Sequence, residues 1–195
     1  MSELVLAAPL RIEAALISSA ARGASVRKTG MGPARARAAA GALERDAGRA
    51  LLVVGFCGGL DAESVPGEVI VADEVYAAGD EGHAPASVRC GLTPQLVSHL
   101  AGRGMKLRSG KIVCVSRIAT GERRTQLLEG GAIGVDMESV WLAAGASGRP
   151  FGVVRVVLDS PSHELFRLQA APGALRAARA LRRVAAALHE WTPGV

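Results

Sequence analysis

Aromatic residues are scarce. Three Phe, two Trp and one Tyr make up 3% of the 195 residues, so the core must be built from Ala, Val and Leu. The scarcity also argues against binding single-stranded nucleic acid by stacking its bases on aromatic rings. Cysteines are few: Cys57, Cys90 and Cys114 are widely spaced, with no Cys-x-x-Cys pair. Neither a disulfide framework nor a zinc site is supported, and no metal is expected. No apolar run reaches the length of a membrane span, and no basic segment followed by an apolar one opens the chain. The expectation is a reduced, cytoplasmic protein. Acidic residues are outnumbered, 18 against 23 basic, for a net charge of +5. Much of the excess lies in Arg176, Arg179, Arg182 and Arg183 on a predicted helix. The plainer reading of those arginines is a solvated face. The alternatives are a basic module that binds nucleotides or nucleic acid, or peripheral membrane contact.

What is present is glycine (24 residues) and apolar residues (49%). The length predicts one domain, 1–195. The most informative stretch is Ile133 to Ser160, which reads as strand, helix, strand. A short apolar run enters an acidic pair, Asp136 and Glu138. The spacing predicts a helix from Met137 to about Ser147, stopped by Gly148 and Pro150. Phe151 to Leu158 is then continuously apolar except for Arg155, as a central strand covered on both faces would be. Asp159 follows that strand. Ligands of open α/β folds bind at the carboxyl ends of strands, so Asp159 and Glu138 are candidate site residues. Each also has a structural reading, Asp159 as a cap and Glu138 as a first-turn residue favoured by the helix dipole.

Along the chain, Leu4–Ala8 reads as a strand and Ile12–Ala21 as a helix with Glu13 in its first turn. Ser25–Thr29 is a second strand. A turn through Gly30 and Gly32 leads to Pro33, a helix start. Such turns expose backbone N–H groups that can hold an anion or a hydroxyl, although Gly-x-Gly alone is weak evidence. Ala50–Phe56 is an apolar strand ending in Gly55, Gly58 and Gly59, where the backbone can approach a ligand. Cys57 there reads as a small buried residue. Val65–Ala78 is a turn and a strand, with Asp73, Glu74 and Tyr76 facing a ligand mouth or a subunit contact. Gly79–Leu92, holding His83, reads as a loop. A helix (Thr93–Arg103), a strand (Met105–Ser116) and a short helix (Ala119–Gly130) follow. Gly173–Trp191 closes the chain as an amphipathic helix with Leu175, Leu181, Val184 and Leu188 inward.

The blocks VDMES (Val135–Ser139) and RPFGVVRVVLD (Arg149–Asp159) resemble the signature of the nucleoside phosphorylase and nucleosidase family, the purine/uridine phosphorylase type. LRIEAAL (Leu10–Leu16), the Thr29–Gly32 turn, VVGFCGGLD (Val53–Asp61) and the Val65–Ala78 strand extend the likeness over most of the chain. The resemblance implies a three-layer α/β/α domain with a bent, mostly parallel mixed central sheet, and a homo-oligomer acting on a small-molecule nucleoside without a cofactor. It implies that Asp159 protonates the leaving base and that Glu13 helps activate the attacking water. Glu138 would bond a ribose hydroxyl, with Met137 packed on the sugar. Phe56, Cys57, Gly58, Gly30, Gly32, Ser116 and Phe166 would line the substrate.

Two departures stand out. Phe56 replaces a small Ser or Thr, and no aromatic lies between Ser116 and Ile133 to clamp the base; Arg117 or Arg123 there is placed to reach an anionic group. Phosphorolytic members carry an Arg where this chain has Val53, which favours water over phosphate. Arg11 and the Gly30 turn leave phosphate as the alternative co-substrate. The spellings look most like the hopanoid-associated members, implying release of adenine from a 5′-substituted adenosine such as adenosylhopane. Methylthioadenosine, S-adenosylhomocysteine and futalosine nucleosidases are the alternatives, beside a Rossmann-like nucleotide binder.

Overall fold

The computed structural model describes residues 4–46, 48–79, 87–162 and 170–193. Elements run β1 (Leu4–Ala8), α1 (Arg11–Ala20), β2 (Ser25–Lys28), α2 (Pro33–Glu44), β3 (Ala50–Gly59), β4 (Val69–Ala77), β5 (Ser87–Arg89) and α3 (Thr93–Gly102). There follow β6 (Leu107–Cys114), α4 (Glu122–Glu129), β7 (Ala132–Asp136), α5 (Ser139–Leu142), a 3₁₀ turn (Ala143–Ala146), β8 (Phe151–Asp159) and α6 (Ala170–His189).

The expected mixed α/β sheet is present. Its eight strands run β2-β1-β3-β7-β6-β4-β5, with β8 inserted between β3 and β4. The pairs β1–β2, β1–β3, β3–β8, β4–β6 and β6–β7 are parallel. The pairs β3–β7, β4–β8 and β4–β5 are antiparallel. Because β3 pairs with both β8 and β7, the path β3-β8-β4-β6-β7 closes on itself, which bends the sheet.

Strand alternation sorts the core into two faces, because successive side chains point to opposite sides. Leu4, Leu6 and Ala8 of β1, Leu52 and Val54 of β3, and Val154 and Val156 of β8 pack with α1, α3 and α6. Val5, Ala7, Leu51, Val53, Phe151, Val153 and Val157 pack with α2, α5 and the 3₁₀ turn. A smaller cluster around Val113, Leu127 and Val135 seats α4. Burial on both faces accounts for the near-continuous apolar runs of β3 and β8. Arg149 ties the second layer together by donating to the carbonyls of Leu43, Asp46, Gly48, Gly145 and Ala146.

Three expectations need correction. The helix expected from Met137 to Ser147 is one turn of α-helix and one of 3₁₀, ended by Ser147 in the left-handed region. The expected loop Gly79–Leu92 contains β5, a three-residue edge strand too short and polar to show a period. Leu175 is not inward but 52% exposed. The buried residues Ala177, Leu181, Val184 and Leu188 repeat at helical spacing. Leu175 stands two residues before that stripe, roughly on the opposite side of the helix. Arg176, Arg179, Arg182 and Arg183 are exposed, as a solvated face requires.

Candidate active site

One cavity of about 160 Å³ opens at the carboxyl ends of β3, β7 and β8. Glu13, Phe56, Cys57, Gly58, Met137, Glu138 and Asp159 line it, together with Asp136 and Arg124. Seven of the residues singled out from sequence thus meet in one place, although they come from four separated stretches of chain. His83 and Phe166 lie outside the described residues. Ser116 is exposed and not part of the lining, which passes instead through Val115, Ile118 and Ala119. Asp73, Glu74 and Tyr76 are also away from it. Glu74 pairs with Lys111 at 3.1 Å, and the Tyr76 hydroxyl donates to the Gly130 carbonyl.

Glu13 is buried, and both of its oxygens are held by backbone. Leu10 N–H donates to Oε2 at 2.6 Å and Phe56 N–H donates to Oε1 at 2.6 Å. The first contact is half of a capping box at the start of α1. The second crosses to β3 and fixes the carboxylate over the strand end. Burial raises its pKa above the ordinary carboxylate value; the Arg155 charge and the two N–H donors offset only part of that.

Arg155, the basic residue in β8, is fully buried. Its Nε and Nη2 reach Asp136 Oδ2 at 2.9 and 2.6 Å, and Nη2 also reaches Ser139 Oγ at 3.0 Å and Glu138 Oε2 at 3.4 Å. Ser139 Oγ in turn donates to Asp136. Arg155 Nη1 is buried with no hydrogen-bond partner among the described residues. The register β3–β8 sets Gly55 against Arg155. A Cβ at position 55 would stand 2.5 Å from Glu13 Oε1 and 2.7 Å from Arg155 Nη1, so glycine is what lets these two groups converge.

Glu138 stands just before α5. Its Oε1 accepts the Gly32 N–H at 2.9 Å, which closes the glycine turn onto the site. Gly32 takes a φ of 91°, as glycine does readily. Gly30 N–H is spent on the Pro9 carbonyl at 3.0 Å. Two amides of the turn therefore already have acceptors. Burial pushes Glu138 up to about 7; Arg155 opposes the rise and the neighbouring Asp136 charge adds to it. Asp136 goes the other way. Burial disfavours its charge, but Arg155, Cys114, Ser139 and the Glu138 N–H outweigh that and hold it below the usual range. Cys57 Sγ is pushed upward by burial, so its thiol is not activated as a nucleophile.

At the other wall, Asp159 Oδ2 meets Arg124 Nη2 at 2.5 Å. Arg117 and Arg123, expected to reach an anionic group, are exposed and outside the lining, whereas Arg124 is buried and lines it. Arg155 is not among the residues expected at the site. The signal was there, because a lone Arg inside an apolar central strand must find carboxylates. Among the described residues no cluster of His, Cys, Asp and Glu is arranged to hold a metal, and no helix is long and apolar enough to cross a membrane.

Comparison with known proteins bears on the fold. The fold is similar to that of 5′-methylthioadenosine/S-adenosylhomocysteine nucleosidase from Neisseria meningitidis, solved with methylthio-immucillin-A. That match has a TM-score of 0.80 at 18% identity, covering 98% of this chain and 100% of that one. It is also similar to futalosine hydrolase of Helicobacter pylori, with a TM-score of 0.77 at 14% identity, covering 96% and 95%. At such identities the likeness fixes the fold alone. No curated protein sequence matches. The family model for the phosphorylase superfamily matches residues 13–186, nearly the whole chain, and the protein therefore belongs to the phosphorylase superfamily.

Proposed function

We propose that this protein hydrolyses the N-glycosidic bond of a purine nucleoside. The observation that carries the reading is the convergence of Glu13, Glu138 and Asp159 in one cavity, at opposite walls and with different surroundings. As the C1′–N9 bond breaks, its electron pair passes to the base, and Asp159 donates a proton to a ring nitrogen of that base. A water held by Glu13 bonds to C1′ and gives its proton to Glu13. Glu138 accepts a ribose hydroxyl, with Met137 against the sugar. The carboxylates act as acid and base without a covalent intermediate, as in inverting glycosidases.

Hydrolysis is favoured over phosphorolysis by the spent amides of Gly30 and Gly32. Arg11, the candidate phosphate ligand, is exposed and absent from the cavity lining. For the substrate, an adenosine with an apolar 5′ group such as adenosylhopane is supported by the apolar lining. Leu10, Phe56 and Leu158 line it, and the exposed side chains of Met31 and Ile118 extend it to the surface. The solved nucleosidase and futalosine hydrolase folds support methylthioadenosine, S-adenosylhomocysteine and futalosine as the alternatives.

The test is base release from adenosylhopane, methylthioadenosine, S-adenosylhomocysteine and inosine, with and without phosphate, by wild type and Asp159→Asn. Adenine release without phosphate, reduced roughly 100-fold or more in the variant, is expected. A strict phosphate requirement would overturn the role given to Glu13. No release from any substrate would remove the nucleosidase reading.

A further inference from the structure

Six large apolar side chains are exposed among the described residues: Ile12, Met31, Val65, Ile118, Leu128 and Leu175. Such residues scattered singly need no explanation, but four of these share one end of the molecule. Ile12 is in the first turn of α1 after β1, Met31 lies in the turn after β2, and Ile118 follows β6. Met31 and Ile118 line the cavity, and Ile12 falls between the lining residues Leu10 and Glu13. Leu175 is near the start of α6. The carbonyl oxygen of the next residue, Arg176, would stand 3.3 Å from a Cβ on Gly67, and Gly67 N–H donates to the Val157 carbonyl, two residues short of Asp159. Helices α1 and α6, packed together through Ile17, Ala177 and Leu181, therefore both begin at the end of the sheet where the cavity opens.

Each of these four has an arginine beside it. Arg11 precedes Ile12, Arg117 precedes Ile118 and Arg176 follows Leu175, while Arg35 donates to the Met31 carbonyl at 3.3 Å. All four arginines are exposed. Val65 and Leu128 have no arginine next to them in the chain. Among the described residues, exposed acids at this end are fewer: Glu63 follows β3 and Glu122 opens α4. An apolar side chain with a guanidinium next to it suits the boundary of an anionic bilayer, where the apolar group enters the acyl edge and the cation stays with the headgroup phosphates. It suits nucleic acid poorly, because the apolar groups would meet phosphates and none of these exposed side chains is an aromatic that stacks on a base.

We propose that this end of the molecule docks on an anionic lipid bilayer. Ile12, Met31, Ile118 and Leu175 enter the headgroup boundary, and Arg11, Arg35, Arg117 and Arg176 meet the phosphates. The cavity mouth then faces lipid, which suits the apolar 5′ group of the reading above. The docking goes beyond that reading and is tested without a nucleoside.

Flotation with vesicles of phosphatidylcholine alone, and of phosphatidylcholine mixed with phosphatidylglycerol, measures it at low and high salt. Wild type should float with the mixed vesicles only, and less as salt rises. Arg11→Gln/Arg176→Gln should lower the partition coefficient about 25-fold, from about fivefold per arginine. Ile12→Ser/Leu175→Ser, which keeps every charge, should lower it about tenfold. Arg22→Gln/Arg45→Gln removes the same charge at the other end of the sheet, where α1 and α2 finish, and should stay within about twofold of wild type. All the substituted positions are exposed, and near-ultraviolet circular dichroism checks that each variant is folded.

No binding to either vesicle, or equal binding to both, would overturn the proposal. So would an equal loss in Arg22→Gln/Arg45→Gln, which would make the attraction one of net charge. Retention on duplex DNA without flotation would assign the face to nucleic acid. A dimer in sedimentation that Ile12→Ser/Leu175→Ser dissociates, again without flotation, would assign it to a second copy of the chain. Either result overturns the bilayer. Flotation by a protein that releases no base leaves the docking standing and removes the nucleosidase reading, and base release without flotation does the reverse.

Discussion

Replacing Glu138 by Gln should stabilise the protein, and only above a definite pH. Glu138 ionises near 7 in the folded chain against an ordinary 4.5, chiefly because it is buried. Between those values the folded state holds a proton that the unfolded state has lost, so Glu138 makes stability fall as pH rises through that window. Below about 4.5 the residue costs nothing by this route. Above 7 the folded protein carries the whole cost of the buried carboxylate, roughly 3 kcal/mol for a displacement of this size.

Gln keeps the side-chain oxygen that accepts the Gly32 N–H and removes the charge. Urea denaturation of wild type and Glu138→Gln at intervals from pH 4.5 to 8.5 measures the difference. The two should be nearly equal at the acid end, with the variant ahead by about 3 kcal/mol at the alkaline end. A difference independent of pH would refute the reasoning. It would mean that Arg155 already satisfies Glu138 as an ordinary ionised carboxylate. In the same variant KM for the nucleoside should increase, since an amide is a poorer acceptor for a ribose hydroxyl.

Other outcomes follow from the same contacts. Gly55→Ala places a methyl within 2.7 Å of both Glu13 Oε1 and Arg155 Nη1; calorimetry should show a loss of about 1–3 kcal/mol, and turnover should fall with it. Arg155→Met leaves Asp136 and Glu138 buried without their cation, so chemical denaturation at pH 7 should register a loss of about 3–5 kcal/mol. Ser116→Ala, at an exposed position away from the cavity, should leave kcat/KM within about twofold in a base-release assay. A ribose mimic with a fixed positive charge at the C1′ position should bind more tightly at pH 8 than at pH 5 by titration calorimetry, because Glu138 is ionised only at the higher pH.

Much of the fold could be read from sequence wherever one physical rule acted alone. The runs Leu4–Ala8, Ala50–Phe56 and Phe151–Leu158 are apolar throughout because both faces of those strands are covered, and they form β1, β3 and β8. Length was harder. β3 continues through Gly59 because Gly58 and Gly59 pair with β7, a partner that local pattern does not reveal. The helix after Glu138 is short because the chain must turn into β8, and Ser147 accepts a φ of 47° to do so. Within the site, Glu13, Glu138 and Asp159 were legible because each ends or follows a strand. Arg124 and Arg155 were not singled out, since a charge on a short polar helix or inside a strand shows its partner only after folding. Ser116 was misplaced by the same limit, because strand β6 stops at Cys114 and the chain, after the buried Val115, turns Ser116 outward.

The distribution of charge ties these residues to the proposed reaction. Around the sugar end stand Glu13, Asp136 and Glu138 against a single cation, Arg155. That end has fewer cations than carboxylates, and burial raises Glu13 and Glu138 above the ordinary carboxylate value. Across the cavity Asp159 is matched one to one by Arg124. Breaking an N-glycosidic bond creates positive charge on the sugar and negative charge on the base. The cation would appear where carboxylates outnumber cations, and the anion would appear beside an acid backed by a guanidinium. Groups fixed by backbone donors and paired side chains need little reorganisation when that charge develops, which is the condition under which electrostatic stabilisation lowers a barrier most. Glu13 is held by Leu10 and Phe56, Glu138 by Gly32 and Arg155, and Asp159 by Arg124, so each carboxylate is anchored before a substrate arrives.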